Sequence, residues 1–290
     1  MWQELLKQLK SGDVKALARS ISLIENEQAG YETLLQSISA TGTKIIGITG
    51  PPGAGKSTLT DSLIGSMVHS GKKVAVICVD PSSPFNHGAV LGDRIRMSEW
   101  YTHPDVFIRS LATRGSMGGL HPKIIEITDL LIAFHFDHII IETIGVGQSE
   151  VEIAGLADVT VVVMVPEAGD EVQTMKAGLM EIADIFEVNK SDRPDADTFV
   201  KNLQLMLAPA FRAHYHEVPV VKTIATRKEG IKELYEVILH ELQKTHSPEK
   251  KYWLLAEKAY WLIQRKRMKD VSRENLKKEI EQLALQNNFN

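Results

Sequence analysis

The run Ile45-Ile46-Gly47-Ile48-Thr49, followed at once by Gly50-Pro51-Pro52-Gly53-Ala54-Gly55-Lys56-Ser57 and a helical stretch from Thr58, constrains this chain more than any other feature. It reads G-x-x-x-x-G-K-[ST] between a strand and a helix, the context that makes the pattern a phosphate-binding loop. The glycines let backbone N–H groups turn inward around a phosphate, and the positive end of the following helix strengthens their field. Lys56 is placed to reach the β- and γ-phosphates and the Ser57 hydroxyl to meet Mg2+, with Gly53, Ala54, Gly55 and Thr58 around the phosphates. Such a loop belongs at the end of a strand in an α/β fold, in which a mostly parallel central sheet is flanked by helices.

The rest of the chain reads the same way. Short β-branched runs bounded by Gly and Pro predict strands at 44–49, 74–79, 106–109, 138–142, 159–165, 186–189 and 218–223. Several are apolar on both faces, as buried parallel strands are, and helical stretches separate most of them. Before them, residues 1–40 carry Leu5, Leu9, Leu17, Ile21 and Ile24 at helical spacing; after Ser247-Pro248 strands cease and amphipathic helices are predicted. With 290 residues, this suggests a helical extension (1–40), a P-loop domain (41–246) and a helical arm (247–290). The net charge of −4 disfavours a nucleic-acid partner bound through general positive charge. A lone cysteine, Cys78, excludes an internal disulfide and any C-x-x-C metal site, and is expected as a small core residue of its strand. No apolar run is long enough for a membrane span, and the charged N-terminus lacks a signal core, so a cytoplasmic protein is expected.

Two further segments point to the nucleotide's base and its metal. An apolar strand ends in Asn189-Lys190-Ser191-Asp192, the N-K-x-D pattern. A carboxylate accepts hydrogen bonds only, so Asp192 can take both the N1–H and the exocyclic amine of guanine. Adenine offers no such pair and would leave the carboxylate unpaired, so GTP is expected over ATP. Asn189 would tie this loop to the P-loop, and the Lys190 stem would cover the base. The strand 138–142 delivers Glu142 at its C-terminal end, where many GTPases carry the Asp of D-x-x-G, and a neighbouring run delivers Asp80, with Asp93 following in a polar loop. These three acids, with Ser57, are the candidate magnesium and catalytic set. They exceed what one hydrated Mg2+ needs, so some are expected to act from behind the metal or to orient water. No His or Gln is positioned by sequence as the residue that orients the attacking water.

Together these residues resemble the MeaB/ArgK/MMAA-type GTPases of the SIMIBI class. The matching stretches are 12–19, 50–58, 79–84, 92–97, 113–120, 142–150, 176–184 and 189–192, in family order. The resemblance implies a GTP-hydrolysing chaperone that gates cofactor loading and protects an adenosylcobalamin-dependent acyl-CoA mutase, chiefly methylmalonyl-CoA mutase. It also implies a homodimer, and makes a cobalamin adenosyltransferase a candidate third member of the complex. By the same resemblance Lys56 and Ser57 are phosphate and magnesium residues, Asp80, Asp93 and Glu142 surround the metal, and Asn189, Lys190 and Asp192 form the base site. The loop 167–176 resembles the partner-sensing switch III, with Glu167 where a Gly is expected.

Loops 81–97 and 145–150 are the candidate switches held by the γ-phosphate. Arg94, Arg96 and Arg114 could reach phosphate or a partner, or form surface ion pairs, while His87 and His121 read as loop or cap residues. In the tail, Trp253, Ala256, Tyr260 and Ile263 share a helical face that either packs on its own domain or joins subunits. Two readings from other classes remain. One is a P-loop kinase of a small molecule. The other is a nickel- or cobalt-delivery GTPase, against which the lone Cys78 and the scattered histidines speak.

Overall fold

The computed structural model describes residues 1–39, 42–80, 97–113, 120–143, 152–168, 177–214, 218–244, 248–268, 271 and 273–285. Asp93, His87, Arg94, Arg96, Arg114 and most of the three candidate switch loops lie outside them. The described chain forms two compact units, 1–245 and 246–290.

In the first unit, seven strands make one all-parallel sheet: β1 (Lys44–Thr49), β2 (Val74–Asp80), β3 (Val106–Ala112), β4 (His138–Glu142), β5 (Val159–Met164), β6 (Ile185–Val188) and β7 (Val220–Lys222). Their order is β3-β2-β4-β1-β5-β6-β7, which puts the strand that feeds the P-loop at the centre, between β4 and β5. β1, β2, β4, β5 and β6 are buried along almost their whole length, which explains why their sequences are apolar on both faces. β3 continues to Ala112, three residues beyond the predicted end, because it pairs residue for residue with β2 from Val74↔Val106 to Asp80↔Ala112. β6 stops at Val188 and β7 spans three residues, so Asn189 and Thr223 leave their strands as loop residues.

Helix α1 (Trp2–Lys10), α2 (Val14–Glu25) and α3 (Tyr31–Gln36) form the N-terminal part of this unit. α2 starts at Asp13, whose Oδ1 accepts from the backbone N–H of Lys15 (2.7 Å) and Ala16 (3.1 Å), a cap worth about 1 kcal/mol. It buries Leu17, Ile21 and Ile24, and its Glu25 pairs with Arg109 of β3. α4 (Lys56–His69) leaves the P-loop, and α5 (Ile124–Ile132), α6 (Ala177–Ile182), α7 (Ala196–His214) and α8 (Ile231–Gln243) complete the layers. One core joins Leu59, Leu63 and Met67 of α4 to Leu234 and Ile238 of α8 and to β1, β2 and β5. A second lies around Phe186, Val162, Phe199 and Leu203. Cys78 is buried in β2, as a core cysteine should be.

The second unit consists of α9 (Pro248–Arg267) and α10 (Arg273–Leu285). Tyr260, Ile263, Leu276, Ile280 and Leu283 are exposed on it. No described helix is long and apolar enough to cross a membrane.

Candidate nucleotide site

The candidate residues meet at the C-terminal ends of the central strands, where open α/β sheets bind ligands. β1 ends at Thr49, and Gly50 follows at φ +139° with its α-carbon against β5: a Cβ there would lie 2.2 Å from the Val163 carbonyl oxygen. Gly55, at φ +94°, opens α4, and a Cβ would lie 2.4 Å from Nδ2 of Asn189. Only glycine permits both the left-handed turn and these approaches. Lys56 is folded back into the loop and nearly buried, its Nζ donating to the carbonyls of Gly50 (2.9 Å) and Pro51 (3.0 Å). The curled backbone and this lysine can receive a polyphosphate.

Beside the loop, β4 carries Glu142 to the start of α4. Its carboxylate accepts from Ser57 Oγ through Oε1 (2.6 Å) and from Thr60 Oγ1 through Oε2 (2.9 Å), and only 3% of the residue is exposed. Asp80 ends the adjacent strand β2, equally buried. The next residue after Glu142, Thr143, donates through its hydroxyl to Thr49 Oγ1 (3.0 Å), which ties the roots of β4 and β1 together. The donors are all oxygens, two of them buried carboxylates, and this set suits a hard cation such as Mg2+. Ser57 donates its hydroxyl hydrogen to Glu142, an arrangement in which a hydroxyl oxygen can still offer a lone pair to such an ion.

The base end is built around Asn189. Its Nδ2 donates to the Ala54 carbonyl (2.9 Å) within the P-loop, and its Oδ1 accepts from the N–H of Lys190 (2.8 Å) and of Ala225 (3.1 Å). Lys190 sits at φ +55°, a conformation non-glycine residues rarely adopt, and its Nζ donates to the Gly53 carbonyl (2.8 Å). Asp192 faces Arg227, Oδ2 to NH2 3.2 Å, where both are partly exposed. The structure thus brings Lys56, Ser57, Glu142 and Thr60 together at one end, and Asn189, Lys190, Asp192 and Arg227 at the other, with Gly53, Ala54 and Gly55 between them.

Several of these groups escape the sequence motifs. Thr60 lies four residues after Lys56, on the same helical face. Ala225 and Arg227 belong to the turn after β7, and the one available signal is that a strand beside the N-K-x-D strand delivers its outgoing loop to the base. Under that loop, Glu187 of β6 is fully buried and accepts from the Thr223 hydroxyl; burial pushes its carboxyl up to about 8. Among the described residues its Oε2 has no hydrogen-bond partner. Trp100, in the short 3-10 turn Ser98–Trp100, donates to Asp61 of α4 (2.8 Å) and rests on Gly65, which fixes this turn against the P-loop helix. Burial raises the Asp61 carboxyl. Glu167 forms an ion pair with Arg193, next to Asp192.

Comparison with known proteins gives the family of the chain. The family model for the methylmalonyl-CoA mutase-associated GTPase MeaB matches residues 17–279. A Pyrococcus abyssi protein named for GTPase activity is 51% identical over 243 residues, covering 82% of this chain and 75% of the relative. GTPase ArgK of Escherichia coli is 35% identical over 271 residues, covering 87% and 82%. The fused isobutyryl-CoA mutase of Geobacillus kaustophilus is 37% identical over 237 residues, which are 77% of this chain and 22% of that protein. Among solved structures, the LAO/AO transport system kinase superposes at a TM-score of 0.69 with 25% identity, covering 99% of this chain and 93% of the other. HypB of Helicobacter pylori in complex with nickel, at 17% identity and a TM-score of 0.50, shares the fold. The chain belongs to the MeaB family and is a GTPase.

Proposed function

We propose that this MeaB-family GTPase couples GTP hydrolysis to the loading and protection of an adenosylcobalamin-dependent acyl-CoA mutase, methylmalonyl-CoA mutase before others. The observation that carries this reading is the family match over 17–279, to a family described by its association with that mutase. A relative in which a similar segment is fused to isobutyryl-CoA mutase supports the same class of client. A cobalamin adenosyltransferase is the further partner to test, and the exposed apolar residues of α9 and α10 suit a subunit contact in a cytoplasmic homodimer.

In this reading the P-loop backbone from Gly53 to Thr58 surrounds the phosphates, and Lys56 exchanges its carbonyl partners for phosphate oxygens. Ser57 would hold Mg2+ together with some of Asp80, Asp93 and Glu142, the rest acting from behind the metal or on the attacking water. Bound there, the ion would neutralise charge developing on the γ-phosphoryl group. Glu142 fixes the Ser57 proton, and Thr143 on Thr49 keeps the strand that carries Glu142 in register with the P-loop. Asn189 locks the base loop to Ala54, Lys190 covers the base, and Asp192 accepts from guanine N1–H and its amine. A carboxylate oxygen has room for more than one donor, so Arg227 can stay on Asp192 while guanine binds.

The test is GTP turnover by the purified protein with and without each adenosylcobalamin-dependent mutase of its host, with ATP as control and the phosphate product followed. Faster release of phosphate to water with one mutase is expected. No acceleration by any of them would overturn the chaperone reading, and label transferred to a small acceptor would replace it with a kinase.

A further inference from the structure

The geometry points to Thr60 as a positioning residue for magnesium-dependent nucleotide binding, acting through Glu142 on Ser57. This rests on the reading of Ser57 and Glu142 as the magnesium side of the site.

Thr60 lies one turn beyond Lys56 and three residues beyond Ser57, so α4 presents both hydroxyls on the face turned to β4. Its Oγ1 is 2.9 Å from Glu142 Oε2 and 2.9 Å from its own helix's Lys56 carbonyl. One hydroxyl has one proton, which Thr60 shares between these two acceptors. Glu142 is therefore gripped at both oxygens by hydroxyls of the same helix. The Ser57 contact, at 2.6 Å, falls in the range of short charge-assisted bonds, as expected when the carboxylate cannot turn away.

The consequence concerns the Ser57 oxygen. While Thr60 holds Oε2, Oε1 stays aimed at the Ser57 hydroxyl and accepts its hydrogen bond, which sets the direction in which the serine oxygen faces a cation. Without the Thr60 hydroxyl the carboxylate loses the donor that α4 gives to Oε2, and its hold on the Ser57 hydroxyl loosens. Thr60 is fully buried, so bulk water does not replace the lost donor. Groups that orient a metal ligand in this way typically change metal affinity by roughly ten-fold or more when removed.

The experiment uses the full chain with Thr60 replaced by Val, which keeps the shape and removes the hydroxyl, by Ala as a second hydroxyl-free variant, and by Ser. Binding of a fluorescent GDP analogue is titrated with Mg2+ and repeated in excess EDTA, and each variant's thermal melt is recorded. Thr60→Val and Thr60→Ala should need roughly ten-fold more Mg2+ for the half-maximal gain in affinity, with affinity in EDTA close to wild type, and Thr60→Ser should restore the wild-type requirement. An unshifted Mg2+ requirement in the hydroxyl-free variants overturns the role of Thr60 while leaving the magnesium site standing. So does an equal loss with and without Mg2+, which a merely structural hydroxyl would give. A wild-type protein whose nucleotide affinity ignores Mg2+ overturns the magnesium reading of Ser57 and Glu142, and the role of Thr60 with it.

Discussion

At the phosphate end of the site, Lys56, Ser57 and Glu142 are buried among partners from their own loop, helix and strand; at the base end, Asp192 and Arg227 meet where water reaches both. The difference follows from position. The P-loop closes the central strand of the sheet, so its charged groups have to be paired inside the protein even before a ligand arrives. The base loop follows β6, one strand from the edge, and its order comes from Asn189 and the unusual backbone at Lys190 instead of from burial of its charges. Buried pairs transmit a substitution strongly and exposed ones weakly.

The largest effect should therefore come from the buried end. Lys56→Ala should abolish tight GTP binding and reduce turnover on the order of 10²–10³-fold, as loss of a preorganised donor to developing charge does. Wild-type affinity in that variant would break the contrast at its stronger side.

An intermediate effect is expected beneath the base loop, at Glu187. Its carboxyl is raised in the folded protein from 4.5 to about 8, so between those values the folded state holds a proton that the unfolded state has released. Stability thus falls as pH rises through this window, by up to a few kcal/mol, an order-of-magnitude figure for so buried a group. Glu187→Gln cannot ionise, so its melting temperature should decline less than that of the wild type from pH 5 to about 8. Parallel curves for the two proteins would show that Glu187 is not the group titrating.

The smallest effect is expected at the exposed end. Arg227→Ala removes an ion pair that is open to solvent and worth about 0–1 kcal/mol, so GTP affinity should drop by less than about five-fold, with the difference vanishing in high salt. A loss as large as that of Lys56→Ala would show that the base end is not the weaker partner.

What could be read from the sequence is what a single strand and its outgoing loop determine. The P-loop, the N-K-x-D loop and the acid ending β4 are local patterns, and the alternation of strands and helices defines the layers. What could not be read depends on which strands are neighbours. Thr60 meets Glu142 because β4 pairs with β1, and Ala225 reaches Asn189 because β7 pairs with β6. Neither pairing is written in either partner's own segment. The length of β3 was hidden for a similar reason: Arg109 and Ser110 interrupt its apolar run, yet the ladder with β2 continues past them to Ala112. Glu187 looked like an ordinary charged residue in a short strand, and only the three-dimensional packing reveals it as fully buried.

Whether the Asp192 carboxylate chooses guanine is decided by comparing GTP, XTP and ATP affinities for the wild type and Asp192→Asn. Xanthine carries a carbonyl where guanine has its amine, so an amide at position 192 matches it with a donor. Guanine recognition by Asp192 requires GTP to bind far above XTP and ATP in the wild type, and the preference to move toward XTP in the variant. Unchanged selectivity in Asp192→Asn would contradict it.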